Sequence, residues 1–285
     1  MPTLHHDGLD RRYQLTVPPN LQKPAPLVIV LHGGGGNGKH IAEITGFPAV
    51  AEREGFIAAF PSAYMRHWYD DRNIRLTKSH PEFVDDTGFI AALMDELSAN
   101  HPVDPARVYI AGASNGAMMA FRLTREIGHR IAAIGGVMGL LPEHYKNHGD
   151  PEVAMPVCLI HGTEDPIVPY TGGEMRVQRK FYGNALSADD TIAYWVAHNH
   201  CITPPDIEEM PETDDELSML VRRETYKFGT DGAEVVLYVV KGGGHTWPGG
   251  KQYAGEWLIG KTCSNFNATE ALWEFFQRHR RDAGG

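Results

Sequence analysis

The sequence predicts an α/β fold built on a mostly parallel sheet, and three observations lead there. Several apolar runs are continuous rather than alternating, as strands buried on both faces require. Segments with a single apolar helical face lie between them. The runs end in glycine, histidine or proline, the punctuation of strand-end loops. Residues 9–17 read as an early strand that stops at Pro18-Pro19. Residues 27–31, Leu-Val-Ile-Val-Leu, form the first continuous run and lead into His32-Gly33-Gly34-Gly35-Gly36. Residues 41–54 read as a helix interrupted near Gly46 and Pro48. Residues 56–60 form a short strand closed by Pro61.

Residues 63–84 are polar, aromatic and irregular, with Trp68 and Tyr69 among them. Residues 86–98 place Phe89, Ile90, Leu93, Met94 and Leu97 on one helical face. Residues 107–111 read as a strand and 117–123 as a helix. Residues 131–137 and 157–162 read as two more strands, 191–197 as a helix and 235–240 as a further strand. Residues 268–279 close the chain as a helix with Leu272, Phe275 and Phe276 on one face. The stretch 170–230 is the least regular and is expected to decorate the sheet. No repeat and no Pro-, Gly- or Ser-rich linker divides the 285 residues, so one domain over 1–285 is expected.

Composition is ordinary for a globular chain, 42% hydrophobic and 22% charged. The formal net charge of −10 repels phosphate backbones, and no basic run offers an exception, so nucleic acid is not an expected partner. No apolar run reaches the ~18 residues of a membrane span. The N-terminus lacks the basic and apolar regions of a signal peptide, and the compartment stays open. Three cysteines make no disulfide framework. Cys158 reads as a buried thiol; if any two pair, Cys201 and Cys263 are the expected pair.

Chemistry concentrates at four strand ends. Gly112-Ala113-Ser114-Asn115-Gly116 is Gly-x-Ser-x-Gly between a strand and a helix. A tight turn there projects the Ser114 hydroxyl, and the flanking glycines remove side chains that would clash. A serine nucleophile needs a base, and the base an orienting acid. The loop after residue 160 offers Asp165, and the loop after residue 240 offers His245. The order Ser, Asp, His is that of the α/β-hydrolase fold. His32 and His161 also end strands and are expected to support loops by hydrogen bonding. An oxyanion would be held by backbone N–H groups: that of Asn115, and one from the glycine run, Gly34 ahead of Gly35.

The glycine run also suits rival readings. Gly33, Gly35 and Gly38 match a dinucleotide fingerprint, but the next strand ends in Pro61-Ser62 rather than an acid. Gly33, Gly38 and Lys39 match a phosphate loop, but His40 stands where Ser or Thr would bind magnesium. His144 and His148 lie four apart between Pro142 and Gly149, which argues against a helical metal pair. No cofactor and no metal are expected. Trp68 and Trp247 are candidate walls of a substrate pocket, with core packing as the alternative.

Together, His32-Gly33-Gly34-Gly35-Gly36-Asn37, the Ser114 pentapeptide, residues 161–170 (His-Gly-Thr-Glu-Asp-Pro-Ile-Val-Pro-Tyr) and residues 243–250 (Gly-Gly-His-Thr-Trp-Pro-Gly-Gly) resemble the polyhydroxybutyrate depolymerase family of esterases. That family is related to the feruloyl and acetylxylan esterases of carbohydrate esterase family 1. The opening at 6–13 and the ending at 266–270 are similar too. The resemblance implies a metal-free serine esterase with an α/β-hydrolase fold, Ser114 as nucleophile, Asp165 as acid and His245 as base. Its expected partner is a small or oligomeric ester of feruloyl, hydroxybutyrate-oligomer or acetyl type. Some members carry Ala after the nucleophile where this chain has Asn115; since only the backbone N–H is needed, the mechanism stands. Many members are secreted, and extracellular depolymerases often add a linker and a polymer-binding domain. Neither is seen here, which argues against crystalline polymer as substrate. The competing expectation is a non-catalytic module of the same fold that binds a small molecule or a partner.

Overall fold

The computed structural model describes residues 1–19, 21, 23–72 and 83–281, so part of the irregular stretch expected at 63–84 lies outside the described residues. The strands are β1 (Thr3–His6), β2 (Leu9–Thr16), β3 (Ala25–Leu31), β4 (Ile57–Pro61), β5 (Val103–Ala113), β6 (Ala133–Val137), β7 (Val157–Gly162), β8 (Gly173–Val177), β9 (Lys180–Ala185), β10 (Asp206–Met210), β11 (Val221–Tyr226) and β12 (Val235–Val240). Ten of them make one sheet in the order β1-β2-β4-β3-β5-β6-β7-β12-β11-β10, and β8 pairs with β9 as a separate hairpin. The six central strands, β4 to β12, run parallel. The two outermost strands on each side are added antiparallel. This is an α/β-hydrolase fold.

The continuous apolar runs divide between the two faces of the sheet. Leu27, Ile29 and Leu31 of β3 enter one core cluster, Val28 and Val30 the other. β12 repeats the pattern, with Val235, Leu237 and Val239 on one side and Val236, Tyr238 and Val240 on the other. Side chains alternate along a strand, so a strand covered on both faces is apolar throughout. The helices are α1 (Gly38–Thr45), α2 (Phe47–Glu54), α3 (Asp86–Asn100), α4 (Asn115–Ile127), α5 (Ala188–Asn199), the single turn α6 (Glu256–Ile259) and α7 (Ala268–Phe276). The interruption expected near Gly46 is the break between α1 and α2, where Gly46 takes φ 70 and Pro48 enters the first turn of α2. Asn37, Asp85, Ser187 and Asn267 cap α1, α3, α5 and α7 through their side chains.

Two expectations need correction. Residues 170–230 do more than decorate the sheet. β10 and β11 extend it, and the same stretch also holds the β8–β9 hairpin and α5. β10 is the edge strand and β11 its inner neighbour; both are charged, Asp-Ile-Glu-Glu-Met and Val-Arg-Arg-Glu-Thr-Tyr, and Arg223 reaches Glu208 across them at 2.7 Å. At this margin of the sheet neither strand is covered on both faces, so neither has the continuous apolar run that marks the central strands. The pair Cys201–Cys263 does not form: all three thiols are free. The Cys201 thiol faces the Ala233 carbonyl, and that of Cys263 faces the Asn265 amide oxygen. Cys158 is buried, which pushes its thiol pKa up. Among the described residues, no helix is long and apolar enough to cross a membrane.

Candidate active site

β5 ends at Ala113 and α4 begins at Asn115, so Ser114 alone makes the turn, at φ 52 and ψ −117. A non-glycine residue in that conformation costs on the order of 1–3 kcal/mol and persists only where its surroundings hold it. Here the Ser114 N–H donates to the Val137 carbonyl at 2.9 Å, and the Ser114 carbonyl accepts from Ala117 and Met118. The glycines serve close approach rather than unusual dihedrals. A Cβ on Gly112 would lie 2.3 Å from the Gly116 carbonyl oxygen, and one on Gly116 would lie 2.4 Å from that of Leu31.

Asp165 and His245 are 80 residues apart in sequence, and the sheet brings them together. β7 and β12 are parallel neighbours with Gly162 beside Val240, so both following loops start at the same edge. The loops then touch: the Glu164 N–H donates to the Gly243 carbonyl at 3.0 Å, and a Cβ on Gly162 would collide with that carbonyl. His245 Nδ1 donates to Asp165 Oδ2 at 2.7 Å, with both residues buried. Asp165 Oδ1 accepts the Ile167 and Val168 N–H groups, each at 2.8 Å. Burial alone would raise the Asp165 carboxyl; His245, His161 and the Val168 N–H outweigh it and hold the pKa below the usual range. An ionised Asp165 can only accept, so the His245 proton sits on Nδ1 and leaves Nε2 with its lone pair. The backbone of His245 is held as well, its N–H donating to the Ile259 carbonyl and its carbonyl accepting from the Tyr253 hydroxyl at 2.8 Å.

The other two strand-end histidines support loops. His32 Nδ1 donates to the Gly33 carbonyl at 2.7 Å, and its Nε2 accepts the Ala63 N–H at 3.0 Å. Burial of the ring lowers its pKa to about 4, outweighing the Gly33 hydrogen bond, which favours the charged form. His161 Nε2 donates to the Val168 carbonyl at 2.8 Å, and burial lowers its pKa despite the neighbouring Asp165.

The glycine loop after β3 reaches the serine turn. A Cβ on Gly33 would contact Ser114 Cβ at 3.4 Å, and one on Gly34 would press on His67 at 3.1 Å. The Gly35 N–H is taken by the Arg66 carbonyl at 2.8 Å, which removes the runner-up donor. Among the described residues, the N–H groups of Gly34 and Asn115 donate to no protein acceptor. A cavity of 320 Å³ opens onto Gly34, Ser114, Asn115 and His245. Met118, Val168, Met175, Tyr182, Tyr253 and Leu258 make much of its wall.

Neither tryptophan lines that cavity. Trp68 and Trp247 are fully buried. Trp68 Nε1 donates to the His32 carbonyl at 2.9 Å, and Trp247 Nε1 donates to Thr269 Oγ1 at 3.0 Å, with its ring against Phe47. Each ring finds one internal acceptor and an apolar bed, so the core reading holds and the pocket reading is corrected. The wall residues came without a local signal. Met175 and Tyr182 sit on the β8–β9 hairpin, and Leu258 on a one-turn helix, so only packing shows that they face Ser114.

Comparison with known proteins agrees with this architecture. The sequence is 28% identical over 277 residues to NocK of Nocardia uniformis subsp. tsuyamanensis, which carries an esterase name, covering 94% of this chain and 79% of that protein. It is 27% identical over 165 residues to the bifunctional acetylxylan esterase/xylanase XynS20E of Neocallimastix patriciarum, and 31% identical over 110 residues to poly(3-hydroxyalkanoate) depolymerase C of Paucimonas lemoignei. The first match covers 57% of this chain and 22% of the relative, the second 36% and 25%. Among solved structures, an acetyl xylan esterase from Aspergillus awamori superposes with TM-score 0.56 at 16% identity, over 83% of this chain and 89% of that one. A thermostable esterase does so with TM-score 0.58 at 16% identity, over 98% and 62%. At that identity the structures show a shared fold. The sequence pattern of the phospholipase/carboxylesterase family matches residues 14–209, and the chain belongs to that family.

Proposed function

We propose that this protein is a serine carboxylic-ester hydrolase that works through an acyl-enzyme. The observation that carries the reading is the buried His245–Asp165 hydrogen bond of 2.7 Å opening on the same cavity as Ser114. Ser114 Oγ attacks the ester carbonyl while His245 Nε2 takes its proton, and Asp165 stabilises the imidazolium that forms. The oxyanion accepts from the Gly34 and Asn115 N–H groups, each worth roughly 3 kcal/mol in such a site. His245 returns the proton to the departing alcohol. Water then attacks the acyl group by the same route and regenerates Ser114. Ser114 and His245 share no hydrogen bond among the described residues; such contacts commonly tighten only when substrate is bound.

The cavity supports an ester with an apolar acyl group, because Met118, Val168, Met175 and Leu258 face the nucleophile. Its 320 Å³ lies at the small end of ligand sites. With Trp68 and Trp247 in the core, the case for a feruloyl group rests on the relatives' names and on Tyr182 and Tyr253. The same apolar walls favour hydroxybutyrate oligomers over an acetyl group, which would leave most of them unused. Turnover of p-nitrophenyl acetate and butyrate, with fluorophosphonate labelling, tests the chemistry. Ser114→Ala should abolish both; full activity in that variant, or no labelling of the folded wild type, overturns the reading and favours a binding module. Comparing methyl ferulate, hydroxybutyrate dimer and acetylated xylan ranks the acyl groups.

A further inference from the structure

The residue after the nucleophile carries more than its N–H. The Asn115 side chain is buried and uses its hydrogen-bonding atoms on a single loop. Its Oδ1 accepts the Trp68 N–H at 2.8 Å, while Nδ2 donates to the Trp68 carbonyl at 3.1 Å and to Asp70 Oδ2 at 2.7 Å. Asp70 in turn holds Arg72, whose Nε lies 2.9 Å and 3.0 Å from its two oxygens and whose Nη2 lies 2.5 Å from Oδ2. Arg72 Nη1 then donates to the carbonyl of Tyr182 on β9 at 2.7 Å. The Arg72 and Asp70 side chains are only 4% and 2% exposed, yet Arg72 lines the cavity that holds Ser114.

A buried ion pair seldom gains stability over an apolar pair of the same volume, because both charges lose their hydration. Burial would raise the Asp70 carboxyl, but Arg72, His67 and Asn115 keep it ionised. Its position, between the serine turn and the hairpin, accounts for keeping a charged pair there.

We propose that the Asn115 side chain is a positioning residue that, through Asp70 and Arg72, ties the oxyanion donor beside Ser114 to the β8–β9 hairpin forming the cavity wall. This rests on the serine-esterase reading and adds a coupling that the reading does not require. An alanine at 115 would supply the same N–H. What it would lose is the clamp that sets where that N–H points relative to the acyl group in the cavity. The hairpin would then affect the rate of acylation and not only the grip on substrate.

A double-mutant cycle on p-nitrophenyl butyrate tests this, with Asn115→Ala and Arg72→Met in the full chain. Each single variant should lower kcat by about 10-fold with KM changed less than about 2-fold, as loss of an interaction tighter in the transition state does. The double variant should also fall by about 10-fold rather than about 100-fold, because the two residues act as one unit. Asn115→Asp should be as harmful as Asn115→Ala, since it sets a second carboxylate against Asp70. Independent, multiplying losses, or losses confined to KM, overturn the proposal. If Asn115→Ala fails to fold, the shape-preserving Asp70→Asn replaces it in the cycle with the same expectation. If the cycle is additive while Ser114→Ala is dead, only this inference fails; if Ser114→Ala is active, the esterase reading itself fails.

Discussion

Two kinds of structure meet at the cavity. Ser114, Asp165 and His245 stand just beyond β5, β7 and β12, central strands that are fully buried where they end. Met175, Tyr182 and Leu258 reach the same space from the β8–β9 hairpin and from α6, both outside the ten-stranded sheet. The first group is fixed by strand register and by hydrogen bonds to buried backbone. The hairpin residues of the second are held by a small apolar cluster, in which Met175 packs with Met118, Val168 and Ala185 and Tyr182 lies against it. The difference teaches that the proposed chemistry and the proposed selectivity sit on separable parts. A change in the first group should alter rate for every ester. A change in the second should alter which ester is preferred.

The largest expected effect comes from Asp165→Asn. An amide at 165 can donate to His245 Nδ1 and favour the wrong tautomer, so kcat should fall by about 10⁴-fold for acetate and butyrate esters alike. Steady-state kinetics check this. A loss that differs strongly between the two esters would break the proposed separation.

Next comes His32, which belongs to the rigid part by its hydrogen bonds. Its folded pKa, about 4, lies below the unfolded value near 6.5. Above pH ~6.5 the ring is neutral in both states and its contribution is intact. As the pH falls towards about 4, only the unfolded chain takes up the proton, and stability drops by roughly 3 kcal/mol in total. His161 acts in the same direction. Urea unfolding at pH 7 and pH 4.5 should show the loss, and His32→Asn should make it smaller. An unchanged pH slope in that variant would contradict the neutral, doubly bonded ring.

Met175→Ala addresses the packing-defined part. It should shift the ratio of kcat/KM for bulky over small acyl groups by about 5-fold, with the rate of fluorophosphonate labelling changed by less than about 2-fold. A comparable fall for both esters would merge the two parts into one. Trp68→Phe is the smallest. It removes the hydrogen bond to the His32 carbonyl and should cost about 1 kcal/mol of stability, with KM unchanged because Trp68 lies in the core. A raised KM would return it to the pocket wall.

Much of the sheet was legible from the chain. Residues 27–31, 157–162 and 235–240 announce buried strands because both faces are covered, and Gly112 and Gly116 mark the serine turn because no Cβ fits there. The charged strands β10 and β11 gave no such signal, since strands at the sheet margin can be paired by their backbones and held by ion pairs such as Arg223–Glu208. Trp247 misled for a local reason: two residues from His245, it looks like a wall, yet its side chain turns into the bed of Phe47 and Thr269. The neighbours of a strand-end residue along the chain are not its neighbours in space.

By itself the sequence determined the alternation of strands and helices, and which strand ends hold a serine, an acid, a histidine and a glycine loop. Periodicity and turn chemistry are local, so they survive in a linear reading. Tertiary structure decided that Asp165 and His245 meet, that Gly35 is engaged while Gly34 is not, and that a distant hairpin lines the cavity onto which Ser114 opens. It also gave Asn115 a second set of partners, through a loop some 45 residues earlier in the chain. Each of these depends on the register of parallel neighbours and on the packing of segments far apart in sequence, which only the folded chain brings within hydrogen-bonding distance.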